Sequence, residues 1–331
     1  MFIIETYPVA VLFCILTMLC WGSWANTQKL AASSWRFELF YWDYVIGIVI
    51  LATVFAFTLG SVGAGGRSFI NDIQQADSAN IQSAIFGGVI FNAANILLGA
   101  AIAISGMAVA FPVGIGLALV IGVVVNYLDN PVGNSTLIFL GVGLVSLAII
   151  FNAYAYNRAA SKSKGVSSKG LILSVIAGIM MGYFYKYVAQ AMFPDFQVPE
   201  AGKLSPYTAV FFFAIGIFLS NILFNTLLMA KPFVGTPVKY SEYFSGSIKN
   251  HLTGILGGVI WCVGMSFSII ASDKAGTAIS YGLGQGATVV AAIWGIFIWK
   301  EFRNSPKGTS LILNLMLVLY ILGLGCIIAA R

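Results

Sequence analysis

The stretch Gly87-Gly88-Val89-Ile90-Phe91 returns 170 positions later as Gly257-Gly258-Val259-Ile260-Trp261. The same offset aligns Gly106 with Gly276, Ala108 with Ala278, Gly114 with Gly284 and Gly116 with Gly286, and ten of the 42 positions from 87 to 128 match without a gap. Each copy is apolar and long enough for two consecutive helices that cross a bilayer. Chance similarity between glycine-rich apolar runs is the alternative. It leaves unexplained why the helix boundaries coincide along with the glycines.

Outward from this pair, apolar runs long enough to span about 30 Å of hydrocarbon recur along the chain. Ten are found, near 8–30, 41–62, 81–104, 107–128, 134–155, 170–192, 206–230, 252–272, 277–299 and 309–330. Gly, Pro and charge mark the connections at 63–77, 158–169, 194–205, 231–251 and 304–308. Helices three and four therefore return as helices eight and nine. Five crossings separate each helix from its copy, and an odd number of crossings turns the copy upside down. The expected fold class is all-α: a polytopic membrane protein with ten transmembrane helices in an inverted 5+5 repeat. Residues 1–331 form a single membrane transporter domain, with 1–157 as the first five-helix repeat and 170–331 as the second. Two such halves can close one entrance while opening the other around a midplane site, which is alternating access.

Composition agrees. Of 331 residues 59% are apolar and 8% charged, whereas a soluble domain carries roughly a quarter charged residues. No connection is long enough to hold a soluble catalytic domain. Cys14, Cys20, Cys262 and Cys326 all lie in apolar runs and read as small buried hydrophobes, with no metal or cofactor set among them. The first run is too long for a signal-peptide core, lacks a basic leader and reads as a retained span.

Lysine and arginine sort by side. Arg67, Lys203, Lys274 and Arg331 share the side of the N-terminus. Lys29, Arg36, Arg158, Lys162, Lys164, Lys169, Lys231, Lys239, Lys249, Lys300, Arg303 and Lys307 share the other. Positive residues stay on the cytoplasmic face, so both termini are expected outside the cytoplasm. The net charge of +6 then follows from topology and calls for no nucleic-acid partner.

Polar groups within hydrocarbon are costly without partners, which makes each a functional candidate. Helix one carries Trp21, Trp24 and Asn26, able to stack and hydrogen-bond a flat polar solute; an interfacial aromatic anchor is the alternative from Trp24 onward. Helix six carries Lys186, a donor or switchable charge, unless it snorkels to the outer headgroups. Pairing Gly22 with Gly182 sets Lys186 opposite Asn26 in the repeat. Helix three adds Asn92 and Asn95, three apart and able to share a face; bonding between helices alone is their other reading. Helix eight adds Trp261, opposite Phe91 in the repeat, and helix nine adds Tyr281 and Gln285. The Gly-x-Gly pattern around Gln285 lies in an apolar span with no Walker lysine and is no phosphate loop. For proton coupling the candidates are Asp43 and Glu38 near the cytoplasmic end of helix two, with a solvated interfacial role as the alternative. His251, the sole histidine, reads as a surface residue. There is no nucleophile with its base, so a membrane-embedded enzyme is disfavoured.

Ten spans in two inverted halves resemble the drug/metabolite transporter superfamily. Met1-Phe2-Ile3-Ile4-Glu5, Trp42-Asp43-Tyr44, Phe57-Thr58-Leu59-Gly60-Ser61-Val62-Gly63, Gly87-Gly88-Val89 and Asn126-Tyr127 resemble the ureide permease family. So does the pattern around Trp261, Gln285, Trp294-Gly295 and Glu301-Phe302-Arg303. A weaker likeness to rhamnose-proton symporters and bacterial glucose/ribose uptake permeases lies around His251 and across helices eight and nine. The resemblance implies import of a small neutral polar solute driven by protons; plant ureide permeases carry allantoin and related oxo-heterocycles such as uracil. Their long central cytosolic loop, with its nucleotide-binding-like motif, is absent here, where 158–169 is short and basic. Sugar uptake and export of metabolites or drugs are the other readings. The expected partners are the solute, protons and the lipid bilayer, with a homodimer as a candidate assembly, in a bacterial inner membrane.

Overall fold

The computed structural model describes residues 1–105, 107–159, 167–303 and 305–331, with side chains except at positions 107–109 and 111. Gly106, Ala108 and Phe111 of the repeat, together with Lys162, Lys164 and Asn304, thus lie wholly or in their side chains outside the described residues. Ten helices among the described residues are long and apolar enough to span a membrane, as expected. They are α1 (Tyr7–Leu30), α2 (Phe37–Phe57), α3 (Ser78–Ser105), α4 (Met107–Asp129), α5 (Ser135–Ala159), α6 (Ser168–Ala191), α7 (Pro206–Ala230), α8 (Ile248–Ala275), α9 (Thr277–Ile298) and α10 (Thr309–Ile328). Sheet structure among these residues amounts to two isolated bridges. Hydrocarbon offers no partner for a free N–H or C=O, and a helix satisfies both within its own segment. The protein is an integral membrane protein, all α-helical.

Helix starts follow local chemistry. Ser205 caps α7 by accepting from the Thr208 N–H, with Pro206 in the first turn where its missing donor costs nothing. Ser247 caps α8 through the Asn250 N–H. Gly276, at φ 84°, lets the chain turn directly from α8 into α9, a backbone state L side chains rarely adopt. Two spans are irregular at one end. The last turns of α1, Trp24–Leu30, tighten to a 3₁₀ helix, where Asn26 and Thr27 side chains bond back to the carbonyls of Ser23 and Trp24. Trp294–Ile298 of α9 widens to a π turn. The two segments meet, because the Trp299 Nε1 donates to Asn26 Oδ1 at 2.6 Å and the Trp294 Nε1 to Ser23 Oγ at 2.9 Å.

In lipid, helices associate through close backbone approach, which glycine permits. A Cβ on Gly88 of α3 would collide with the Phe213 carbonyl of α7, and one on Gly258 of α8 with the Tyr44 carbonyl of α2. Gly216 of α7 meets the Ile85 carbonyl, and Gly47 of α2 meets that of Ile255. Gly87 faces the Phe184 carbonyl of α6, as Gly257 faces that of Trp24 in α1. The crossings of α3 with α7 and α6 thus recur, residue for residue, in those of α8 with α2 and α1. This register is consistent with an inverted repeat.

The face bearing the termini is tied together by polar contacts. The Met1 ammonium donates to the Gly65 carbonyl, Tyr7 OH to Ile328 O, and the Asn134 N–H to Ala330 O. Arg67 pairs with the buried Asp72 at 2.9 Å and also donates to the Glu200 and Lys203 carbonyls. Leu311, Ile321 and Ile150, each more than half exposed, belong to the surface left for lipid.

Candidate solute cavity

A cavity of about 1050 Å³ runs from the middle of the bundle to the face opposite the termini. Helices α1, α3, α4, α6, α8 and α9 all contribute, joined by ends of α2, α5 and α7. At its inner end the Trp21 and Trp261 indoles stack, centroids 5.9 Å apart and planes within 12°, and Trp21 Nε1 donates to the Trp261 carbonyl. Phe91, the counterpart of Trp261 in the repeat, packs on that indole at 4.4 Å and on Phe184 at 5.2 Å. Trp24 leans on Tyr44 at 4.6 Å. These rings form an apolar floor, into which Gln285 and Asn95 bring side-chain amides.

The mouth carries the charge. Lys29 pairs with Glu301 at 3.0 Å and lies 4.4 Å from the Trp299 ring centroid, while Tyr156 OH donates to Glu301 at 2.9 Å. Arg36 pairs with Glu38 and donates to the carbonyls of Val234 and Thr236. Among the described residues, Lys29, Glu301, Arg36 and Glu38 at the mouth are each partnered, and no charged side chain stacks on the paired indoles.

Beyond the floor, toward the termini, the helices are sealed. Tyr281 OH donates to the carbonyls of Ala118 in α4 and Met181 in α6, at 3.1 Å each, with its ring edge against Gly122. Tyr185 OH bonds Ser268 Oγ at 3.1 Å, Ser268 bonds Ser280 at 3.0 Å, and Cys14 Sγ reaches Ser280 at 3.7 Å. Thr277 adds a bond to the Asn126 carbonyl at 3.2 Å.

Of the residues singled out in the sequence, Trp21, Trp24, Asn26, Asn95, Trp261, Gln285 and Glu38 share the cavity wall. Asn92, fully buried, stands behind it. Tyr281 belongs to the seal. Lys186 lies away from the wall, near the face of the termini, 3.3 Å from Asp129, which also accepts from Gln190 at 2.6 Å. Asp43 is off the wall and 2% exposed; it accepts from Tyr243 OH at 2.7 Å and lies 3.0 Å from His251 Nδ1. His251 is thus a partner of Asp43 rather than a lone surface group. Burial and the Asp43 carboxylate both push the Tyr243 phenol up, keeping it a donor. Sequence reading passed over Lys29, Tyr156 and Trp299 at the mouth, whose only signal is that they sit at helix ends. No group of three or more His, Cys, Asp or Glu that could hold a metal occurs among the described residues.

Comparison with known proteins bears on the same architecture. Ureide permease 1 of Arabidopsis thaliana is 22% identical over 386 residues, covering 100% of this chain and 99% of its own. Ureide permease 4 of the same plant is 23% identical over 397 residues with the same coverage. Glucose uptake protein GlcU of Bacillus subtilis is 25% identical over 230 residues, 66% of this chain and 68% of its own. A crystal structure of a protein 14% identical superposes with a TM-score of 0.59, covering 96% of both chains, a likeness of fold alone. The model of the family described as ureide permease matches residues 40–169 and 157–330. With ten apolar spans among the described residues and permeases as full-length relatives, the chain is a membrane transporter of small solutes and belongs to the ureide permease family.

Proposed function

We propose that this protein imports a small neutral polar solute, a ureide, nucleobase or related oxo-heterocycle, by alternating access coupled to protons. The observation that carries the reading is the floor of the cavity: stacked indoles with amides beside them, sealed on one side and open on the other. Flat rings gain dispersion and stacking against indole, and amides supply the directional bonds that a polar ring needs once it leaves water. The absence of unpaired charge among the described floor residues favours a neutral solute. The doubled glycine crossings support two inverted halves, and the lysine and arginine asymmetry supports termini outside a bacterial inner membrane. On that topology the cavity opens to the cytoplasm.

Asp43 is the proposed proton site. It is a buried carboxylate near the mouth that accepts from Tyr243 OH and lies beside His251, whose side chain is 20% exposed and gives a path to water. The match to GlcU favours a second reading, sugar uptake, because an indole face also covers the apolar C–H face of a sugar ring.

Counterflow in proteoliposomes with allantoin, uracil, glucose and rhamnose, run with and without a pH gradient, separates these. Exchange of the heterocycles, accumulated only with the gradient and reduced at least tenfold in Trp21→Ala, is expected. Exchange of sugars alone moves the assignment to the second reading, and exchange of none of the four rejects both.

A further inference from the structure

Behind the cavity wall a chain of hydrogen bonds crosses from α3 to α2, back to α3 and on to α7. Asn95 Nδ2 donates to Tyr41 OH at 3.1 Å, and Tyr41 OH donates to Asn92 Oδ1 at 2.9 Å. Asn92 Nδ2 donates to Ser220 Oγ at 2.9 Å and to the Ile217 carbonyl at 3.3 Å. Ser220 Oγ donates in turn to the Gly216 and Ile217 carbonyls, at 2.8 and 3.0 Å. Asn92 is fully buried, as is Tyr41, and Ser220 is 9% exposed. Asn95 alone of the four reaches the cavity.

The direction of this chain is dictated from its α7 end. An amide oxygen and nitrogen cannot be told apart by shape, so orientation must come from the network. The carbonyls of Gly216 and Ile217 can only accept, which commits the Ser220 proton to them and leaves Ser220 Oγ as an acceptor. Asn92 must then offer its NH₂ group; turned over, its oxygen would face both the Ile217 carbonyl and an oxygen with no proton left to give. Its Oδ1 therefore faces Tyr41. The single Tyr41 proton is used on that oxygen, so the phenol can only accept from Asn95. Asn95 presents NH₂ to Tyr41, and its Oδ1 has no hydrogen-bond partner among the described residues. Asn26, another amide on the wall, is committed at both ends, its Nδ2 to the Ser23 carbonyl and its Oδ1 to Trp299.

We infer that Tyr41, Asn92 and Ser220 are positioning residues for solute selection: they lock Asn95 so that an acceptor oxygen faces the solute beside the indole floor. The site therefore selects rings that carry an N–H donor, a lactam, imide or ureide edge, over the same rings with that nitrogen alkylated. A solute offering only acceptors meets the Asn95 oxygen with nothing to give it, and the desolvated oxygen is then left unpaired. This rests on the proposed transport of oxo-heterocycles, so the test has one arm with solute and one without.

Tyr41→Phe removes one oxygen and retains the ring that packs between Phe37 and Tyr44. In the solute arm, binding of uracil and of 1,3-dimethyluracil to protein in nanodiscs is read by quenching of tryptophan fluorescence. Wild type is expected to favour uracil, and Tyr41→Phe to reduce that preference about fivefold, the worth of one hydrogen bond, by letting Asn95 turn. Ser220→Ala, which releases the far anchor, shifts the preference the same way. An unchanged ratio in Tyr41→Phe, or equal losses for both rings, overturns the inference. In the arm without solute, solvent exchange of side-chain amide protons is followed by NMR in ¹⁵N-asparagine-labelled protein. The Asn95 Nδ2 protons should exchange at least tenfold faster in Tyr41→Phe than in wild type. Exchange at the rate of a free amide in wild type overturns the inference whatever the solute proves to be. Binding of neither ring with a slowed Asn95 amide strikes at the proposed substrate and leaves the orientation standing.

Discussion

Tyr281→Phe tests the seal on the termini side of the cavity. The hydroxyl holds α9 to two helices at once, through the Ala118 and Met181 carbonyls at 3.1 Å. Those carbonyls belong to helices whose internal bonds survive the substitution, so the loss is confined to contacts that exist only while this end is closed. Each such bond contributes about 1 kcal/mol net, and together they bias the closed end by about 1–2 kcal/mol. That changes the ratio of closed to open forms about 5–30-fold. Cys14 reports it directly, since it is fully buried against Ser280 within the seal. With Cys20, Cys262 and Cys326 replaced by alanine, a membrane-impermeant maleimide applied on the side of the termini should label Cys14 about 5–30-fold faster in Tyr281→Phe. Labelling at the parental rate, in protein that still binds solute, would refute the reasoning. The offset of 170 positions sets the two ends of the bundle apart. It pairs Tyr281, Ser268 and Ser280 with Phe111, Leu98 and Ala110, none of which has a hydroxyl. These three hydroxyls have no counterpart at the matched positions, so the resting population should favour the form with this end shut.

Asp43→Asn should abolish accumulation driven by a pH gradient while leaving solute counterflow largely intact; loss of both in well-folded protein would place Asp43 outside the coupling step. Gly258→Val drives a side chain into the Tyr44 carbonyl and should destabilise the protein by about 1–3 kcal/mol, the usual cost of overpacking, read as a lower midpoint of thermal unfolding in detergent. An unchanged midpoint would show that α2 and α8 have room to separate. Tyr243 is a phenol whose pKa is raised above its ordinary 10.0 in the folded protein, so its contribution is complete below pH 10 and is lost as pH rises further. Stability measured from pH 9 to 11 should therefore fall more steeply in wild type than in Tyr243→Phe, and parallel curves would count against the bond to Asp43.

Much of the fold is legible in the sequence because hydrocarbon leaves so few choices. Ten apolar runs become ten helices, and four of the glycines that announce the repeat, Gly87, Gly88, Gly257 and Gly258, sit at crossings, where close backbone approach is their physical use. Trp21, Trp261 and Gln285 stand out as aromatic and polar groups in apolar surroundings, and they meet at the cavity floor. Pairings between distant residues are a different matter. Asp43 and His251 lie 208 positions apart, and nothing local to either announces the other. Lys186 meets Asp129 because of how α6 is rotated against α4, and periodicity along one helix leaves that rotation open. Asn26 and Trp299 are joined through a 3₁₀ turn and a π turn, departures from 3.6 residues per turn that helical spacing cannot anticipate.

The glycine crossings of α3 and α8 also bear on how such a bundle could move. At Gly88 and Gly258 a helix rests on a bare carbonyl of its neighbour, with no side chain interposed to act as a cog. A joint of that kind resists being pulled apart, because each contact is already at backbone distance, yet offers little resistance to swivelling about the point of touch. Two matched bearings, α3 on α7 and α8 on α2, would let the hairpins of α3–α4 and α8–α9 tilt without unpicking the core.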